Sequence, residues 1–361
     1  MFLSEKMWRI RFLKRLKLRY PYALNCPTNH LLMKEFGFLG FLGTPCVSDS
    51  GLALGIGLYE IYKKVPDIRF NLQNAYYGDS DNSLVEAIKE NKLDMFIGGI
   101  EDFDVNKTVD DIREQPIVWF NDRAEIGPRA LGNRSIIADP TNPKSKDFLN
   151  KVKQREWWRP VAPIILESHV SEWFEDAYES PYMLHTFKII HDKEETVTSI
   201  LHLDGTARVQ TLKEHENLLS DVILQFYRLT GVPILCNTSL NDRGEPIINT
   251  IAQALNFALR KNIVIVYFNG IRIKLKSHEK YTVDKPCQRD TQYIFPYDEC
   301  EKQNLLEKDN PFHISKSDLI TYYSQPRLRK TIDLGKEKDI QVLKRYNKML
   351  LNKIQWNHFE L

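Results

Sequence analysis

The tetrapeptide Ile117-Val118-Trp119-Phe120 constrains this chain more than any other stretch, because of the residues it delivers at its end. Aromatic and β-branched residues in succession predict a buried strand. A strand of that kind presents the next residues at its tip, and here they are Arg123-Ala124-Glu125-Ile126-Gly127-Pro128-Arg129-Ala130-Leu131-Gly132-Asn133-Arg134-Ser135. Three arginines interleaved with two glycines and a proline make a stiff turn that can offer forked guanidinium groups to an anion, a geometry lysine lacks. Composition alone also allows a plainer reading, in which Glu125 pairs with one arginine and Asn133 closes a turn.

Further strands are expected over Val161–Leu166, Phe187–Ile190, Thr196–Leu201, Val232–Cys236 and Ile263–Phe268, with helices over Asn82–Lys92, Lys107–Arg113, Leu218–Leu229 and Ile251–Arg260. Strands alternating with helices define a mixed α/β layout, and 361 residues suffice for two domains with cores. A basic amphipathic helix is expected over residues 1–20, then a small-residue helix through Ala53, Gly55 and Gly57, where backbone can approach a phosphate or another helix. Beyond Leu275 the chain turns charged and proline-rich. It ends in a helix marked by Val342, Tyr346, Met349, Leu350 and Ile354.

Three more motifs favour anions. In Lys153-Gln154-Arg155-Glu156-Trp157-Trp158-Arg159-Pro160, strand alternation would put Lys153 and Arg155 on one face, while the tryptophans beside cations read equally as cation–π packing. Asp204-Gly205-Thr206-Ala207-Arg208-Val209-Gln210 predicts a tight turn feeding a strand, with Arg208 open to a surface ion pair as well. Asn237-Thr238-Ser239-Leu240-Asn241 places small polar groups straight after an apolar strand, where residues present ligands or simply end the strand.

Taken together these motifs, with Leu24-Asn25-Cys26-Pro27-Thr28-Asn29 and Ser48-Asp49-Ser50-Gly51, resemble the NodU/CmcH/TobZ-type O-carbamoyltransferases. The resemblance implies a partial ASKHA-type (actin/Hsp70-like) half-domain over residues 1–115, a YrdC-like mixed α/β domain over 116–275 and a C-terminal appendage over 276–361. It implies that carbamoyl phosphate loses phosphate and that the carbamate attacks ATP to give carbamoyladenylate, with Lys153, Arg155, Arg129, Arg159 and Arg208 as the catalytic cations. Arg123, Arg134, Asn237, Ser239, Asn241, Asn25 and Asn29 would bind nucleotide or phosphate. Asp49 matches a metal-binding aspartate. ATP and Mg²⁺ are the implied cofactors, with Fe²⁺ or another divalent metal only where the missing HxxxH half-domain is supplied.

The acceptor implied is a hydroxyl on a sugar, antibiotic or glycan. A second chain is expected to supply the first half of the transfer domain, since Tyr20-Pro21-Tyr22-Ala23 replaces the usual glycine pair and the histidines are absent. A truncated remnant or nucleotide-binding module is the alternative, with a threonylcarbamoyl-adenylate synthase behind it. Near-balanced charge, Lys+Arg 50 against Asp+Glu 48, gives no global field for nucleic acid or membrane. Five scattered cysteines, no long apolar run and a charged N-terminus predict a cytoplasmic protein without a membrane partner.

Overall fold

The structure is a computed structural model and describes residues 24–36, 38, 43–68, 72, 74–287 and 311–357. The helix expected over residues 1–20 lies outside them. Residues 1–287 and 288–361 form two compact units.

In the first unit, helices α1 (Cys26–Phe36), α2 (Asp49–Lys64) and α3 (Leu84–Glu90) precede β1 (Ile97–Asp102), α4 (Val105–Glu114), β2 (Ile117–Phe120) and β3 (Arg134–Ala138). Then come α5 (Ser145–Val152), β4 (Ala162–Leu166), α6 (Val170–Trp173), β5 (His185–Lys188), β6 (Thr206–Leu212), α7 (Leu218–Thr230), β7 (Ile234–Ser239), α8 (Ile251–Arg260), β8 (Ile265–Phe268) and β9 (Ile271–Leu275). The strands form one sheet in the order β1-β9-β8-β2-β3-β7-β4-β6-β5. β2 runs parallel to β8 and β4 to β6, while the remaining pairs are antiparallel, so the sheet is mixed. β2, β3, β4 and β8 are buried at every position, as strands covered on both faces must be. α7 packs on β4 and β7, and α8 on β2 and β8.

Local chemistry sets the helix ends. Asn217 and Ser220 form a reciprocal capping box at the start of α7, and Gly231, at φ +73°, ends it in the left-handed conformation. Thr250 and Gln253 form the same kind of box at the start of α8. At the far edge of the sheet the Arg272 guanidinium grips Asp111 of α4 in two bonds of 2.6 and 2.8 Å, and Tyr267 donates to the same carboxylate at 2.8 Å. α1 is tied to the start of β5 through Asn29 Nδ2, which donates to the Leu184 carbonyl at 2.7 Å, and through the Cys26 thiol on Met183 O at 3.3 Å.

Several expectations need correction. Thr196–Leu201 is no strand, because His191–Ile200 makes tight helical turns that place its polar run at the surface. The strand expected to end at Cys236 continues through Ser239, so Asn237 and Thr238 pair inside the sheet. Gly55 and Gly57 face open space. The close approach is at Gly51, where a Cβ would lie 1.8 Å from the Cys46 carbonyl oxygen. Ile97–Asp102 joins the sheet through β9, on the other side of the domain boundary expected at 115.

In the second unit α9 (Lys316–Ser324), α10 (Pro326–Thr331) and α11 (Glu337–Asn357) are described, the last covering the helix expected near the end of the chain. Asn347 of α11 hydrogen-bonds Asp318 and Thr321 of α9 at 2.9 and 2.6 Å.

Candidate anion site at the end of the central strands

Lys153 and Arg155 do not lie on a strand. α5 stops at Val152, Lys153 caps it, and Gln154 turns the chain with φ +51°. Asn150 fixes the turn by donating to the carbonyls of Trp157 and Arg159 at 3.0 and 2.9 Å, and its own carbonyl accepts the Arg155 amide. The Lys153 side chain, 4% exposed, reaches the end of β7. Its ammonium donates to the carbonyls of Ser239 and Asn241, each at 2.6 Å, to Ser239 Oγ at 3.1 Å and to Asn241 Oδ1. Ser239 Oγ also donates to Asn241 Oδ1 at 2.7 Å, so the two polar residues of the strand end and the lysine form one network. Burial, then the nearby Arg155, presses the Lys153 ammonium down to about 7.

Arg155, in the turn after α5, acts on Lys153, and Arg208 of β6 feels both Arg155 and Arg129 of the arginine turn, so the three guanidiniums form one group. Burial first, then Arg129 and Arg155, lower the Arg208 guanidinium to about 10. Burial and Arg159 act on Arg155 in the same direction. Each of the three has a buried Nε with no hydrogen-bond partner among the described residues. The Arg155 guanidinium reaches Thr238 Oγ1 at 3.4 Å, a long contact that leaves most of its donors open. No carboxylate among the described residues forms an ion pair with any of them. Grouped, half-buried guanidiniums repel one another, and a polyanion is the ligand that relieves that repulsion.

Other expected site residues are placed elsewhere. Arg134 is fully buried, lies 3.6 Å over the Phe120 ring, and donates to the carbonyls of Asn121, Asn133, Asp79 and Asp122. Its guanidinium holds the turn together and is not presented to a phosphate, a correction that follows from its position inside β3. Glu125, read as an arginine partner, instead accepts the amides of Leu131 and Asn133 at 2.7 and 2.8 Å. Arg123 is exposed and donates to Tyr77 O, and Arg159 is exposed and paired with Glu156 at 2.7 Å. Asn237 Nδ2 donates to Gln210 Oε1 at 2.9 Å under the arginine turn. Asn25 accepts the Thr28 amide at the start of α1, and Asn29 is the buried tie to Leu184. The Asp49 side chain lies outside the described residues, and among those described no group of three His, Cys, Asp or Glu could hold a metal. The described residues therefore fit a bound polyanion and show no metal centre.

Gln210 closes the Asp204–Gln210 motif without being among the residues expected to bind, yet the structure places it in the site. It donates to Leu131 O at 2.7 Å while accepting from Asn237, joining β6, β7 and the arginine turn. Arg208 leads into a cavity of about 480 Å³ lined also by Asn25, Cys26, Thr186 and His202. Burial raises the Cys26 thiol, against the pull of Arg208 and Arg129.

The sheet thus carries a group of cations on β6 and on the turns beside β3 and α5. Residues 110–274 match the family described as Carbamoyltransferase C-terminus. That stretch is similar to the C-terminal part of the carbamoyltransferases, and nodulation proteins of the NodU type are among the chain's relatives. The chain is 36% identical over 264 residues to nodulation protein NolNO of Sinorhizobium fredii, covering 70% of this chain and 38% of that one. With NolO of Bradyrhizobium diazoefficiens it shares 35% over 266 residues, 69% of this chain and 47% of the relative. With nodulation protein U of Rhizobium tropici the figure is 40% over 158 residues, 44% and 27%. The chain thus spans less than half the length of each of these relatives. A solved structure of full-length HypF in its phosphate- and nucleotide-bound form aligns with 44% of this chain and 21% of its own, at 15% identity and TM-score 0.32, a likeness too slight to carry an argument.

Proposed function

We propose that the first unit activates carbamoyl phosphate with ATP, the two being substrates of one site, so that a carbamoyl group can be passed to a hydroxyl of a sugar, antibiotic or glycan. The observation that carries this reading is the grouping of Arg129, Arg155 and Arg208, each with an unpartnered buried Nε, next to the Lys153–Ser239–Asn241 network. Two polyanions repel in water, and fixed cations at the end of a rigid sheet hold them within reach of each other without reorganisation. Carbamate then attacks the α-phosphorus through its carboxylate oxygen, and pyrophosphate leaves with the bridging electron pair. Arg155 and Arg208 neutralise charge at the phosphoryl oxygens, while Ser239 and Asn241 orient them or the water around a Mg²⁺ ion brought by ATP. In this reading the nine-stranded sheet, β1 through β9, is the YrdC-like part, and the residues ahead of it belong to an ASKHA-type transfer domain. Cytoplasmic action is part of the same proposal, in keeping with the absence, among the described residues, of a helix long and apolar enough to cross a membrane.

Pyrophosphate release from ATP by the purified chain, with and without carbamoyl phosphate, is the test. Release that requires carbamoyl phosphate and disappears in Arg155→Ala or Arg208→Ala is expected. A folded wild-type chain that releases none would leave nucleotide binding without turnover as the better description.

A further inference from the structure

One half-buried titratable group near the arginines has no part in the steps above. His202 lies in the turn between the helical segment His191–Ile200 and β6, at the wall of the cavity that Arg208, Thr186, Asn25 and Cys26 also line. Its Nε2 is buried and has no hydrogen-bond partner among the described residues. Its Nδ1 lies 2.9 Å from Thr206 Oγ1, which in turn donates to Asp204 Oδ1 at 2.7 Å. Hydrogen-bond direction settles the tautomer. An ionised carboxylate only accepts, so the one hydroxyl proton of Thr206 points to Asp204, and Oγ1 is left to accept from His202 Nδ1–H. The neutral ring then carries its lone pair on Nε2.

Asp204 is held ionised, chiefly by the hydrogen bond from Thr206. Burial lowers the His202 imidazole, with Arg208 and Lys146 acting the same way and Asp204 against them. Asp204, Arg208 and Lys146 act on the ring from the turn, β6 and α5, and the Cys26 thiol of α1 lines the same cavity. Their balance keeps the ring unprotonated at neutral pH, as a base must be. Asp204, Thr206 and His202 thus form an oriented acid–hydroxyl–imidazole series, in which the carboxylate sets the hydroxyl and the hydroxyl sets the ring.

We propose that His202 Nε2 is the general base for the water that releases carbamate from carbamoyl phosphate, an inference that rests on the function proposed for the arginine site. Carbamoyl phosphate dianion sits on Arg208 and Arg129 at the mouth of the cavity. A water gives one proton to Nε2 and its oxygen attacks phosphorus. The bond from phosphorus to the carbamoyl oxygen breaks, and its electron pair leaves on carbamate. The products are carbamate, hydrogen phosphate and the proton on His202, which balances atoms and charge.

The test compares two feeds of the full chain. Pyrophosphate release is measured with ATP and carbamoyl phosphate, then with ATP and ammonium carbamate, which bypasses the hydrolysis. His202→Gln is expected to lose about 100-fold or more with carbamoyl phosphate, the usual contribution of a general base. With carbamate it should stay within about 3-fold of wild type, which also shows that the variant is folded. A variant as fast as wild type on carbamoyl phosphate overturns the base and leaves the anion site standing. Equal losses on both feeds make His202 a structural residue and overturn the proposal as well. A wild-type chain that releases pyrophosphate with neither feed removes the function proposed for the arginine site, and the base with it.

Discussion

Lys153 shows how far residue type alone can lead. The pairing of Lys153 with Ser239 and Asn241 is legible as two motifs, yet the geometry that unites them is a helix cap and a left-handed turn, not the alternation of a strand. Arg134 is illegible for the opposite reason, since nothing in the order of residues distinguishes an arginine bound to four backbone carbonyls from one open to a ligand. Arg155→Lys tests the forked contact: a point charge keeps the field and loses the fork, so pyrophosphate release should fall by roughly 10-fold or more. Lys153 titrates near 7 in the folded chain against a reference of 10.5, so between those values the unfolded state holds the extra proton. Stability contributed at this site should therefore rise with pH across that window. Melting temperatures of wild type and Lys153→Met, followed from about pH 7 to 10, should show the difference moving in favour of wild type. A constant difference would contradict the burial of the ammonium.

Elements with strong periodicity are the ones the sequence predicts well. α8 spans the residues expected for it, α7 extends one residue past its expected end, and the turn at Asp204-Gly205 does feed β6. β1, β3 and β9 escape prediction, because Gly98 and Gly99 weaken the first, an arginine opens the second, and β9 follows β8 after a turn of only two residues. Pairing, not propensity, makes them strands. The tie between β9 and α4 is the element-scale liability. Asp111→Ala leaves the Arg272 guanidinium, itself 5% exposed, with only the Glu101 carboxylate at 3.1 Å, and chemical denaturation should report a loss of about 3 kcal/mol. Thr250→Ala, which removes only a cap from α8, should cost about 1 kcal/mol.

At the scale of the whole molecule, α2 is the part of the first unit that the sheet does not account for. Leu52, Ile56, Tyr59 and Tyr62 recur at helical spacing and are each more than half exposed. Their replacement therefore should not disturb the core. Leu52→Glu with Ile56→Glu is expected to change stability by no more than about 0.5 kcal/mol per site while reducing binding of an apolar dye. A large drop in stability would mean that the helix is covered in the folded chain.

The parallel pairing of β2 with β8 has a consequence for how the molecule is made. Phe120 aligns with Phe268, so the strand that leads into the arginine turn acquires one of its two neighbours only after a long further stretch of chain has left the ribosome. At translation rates of about 5–20 residues per second, an all-apolar strand waits on the order of 10–30 s with an open edge. A chaperone that shields hydrophobic segments of nascent chains has its natural substrate there, and stalling synthesis just before Ile265 should yield a chain that aggregates even though every residue of the arginine turn has been made.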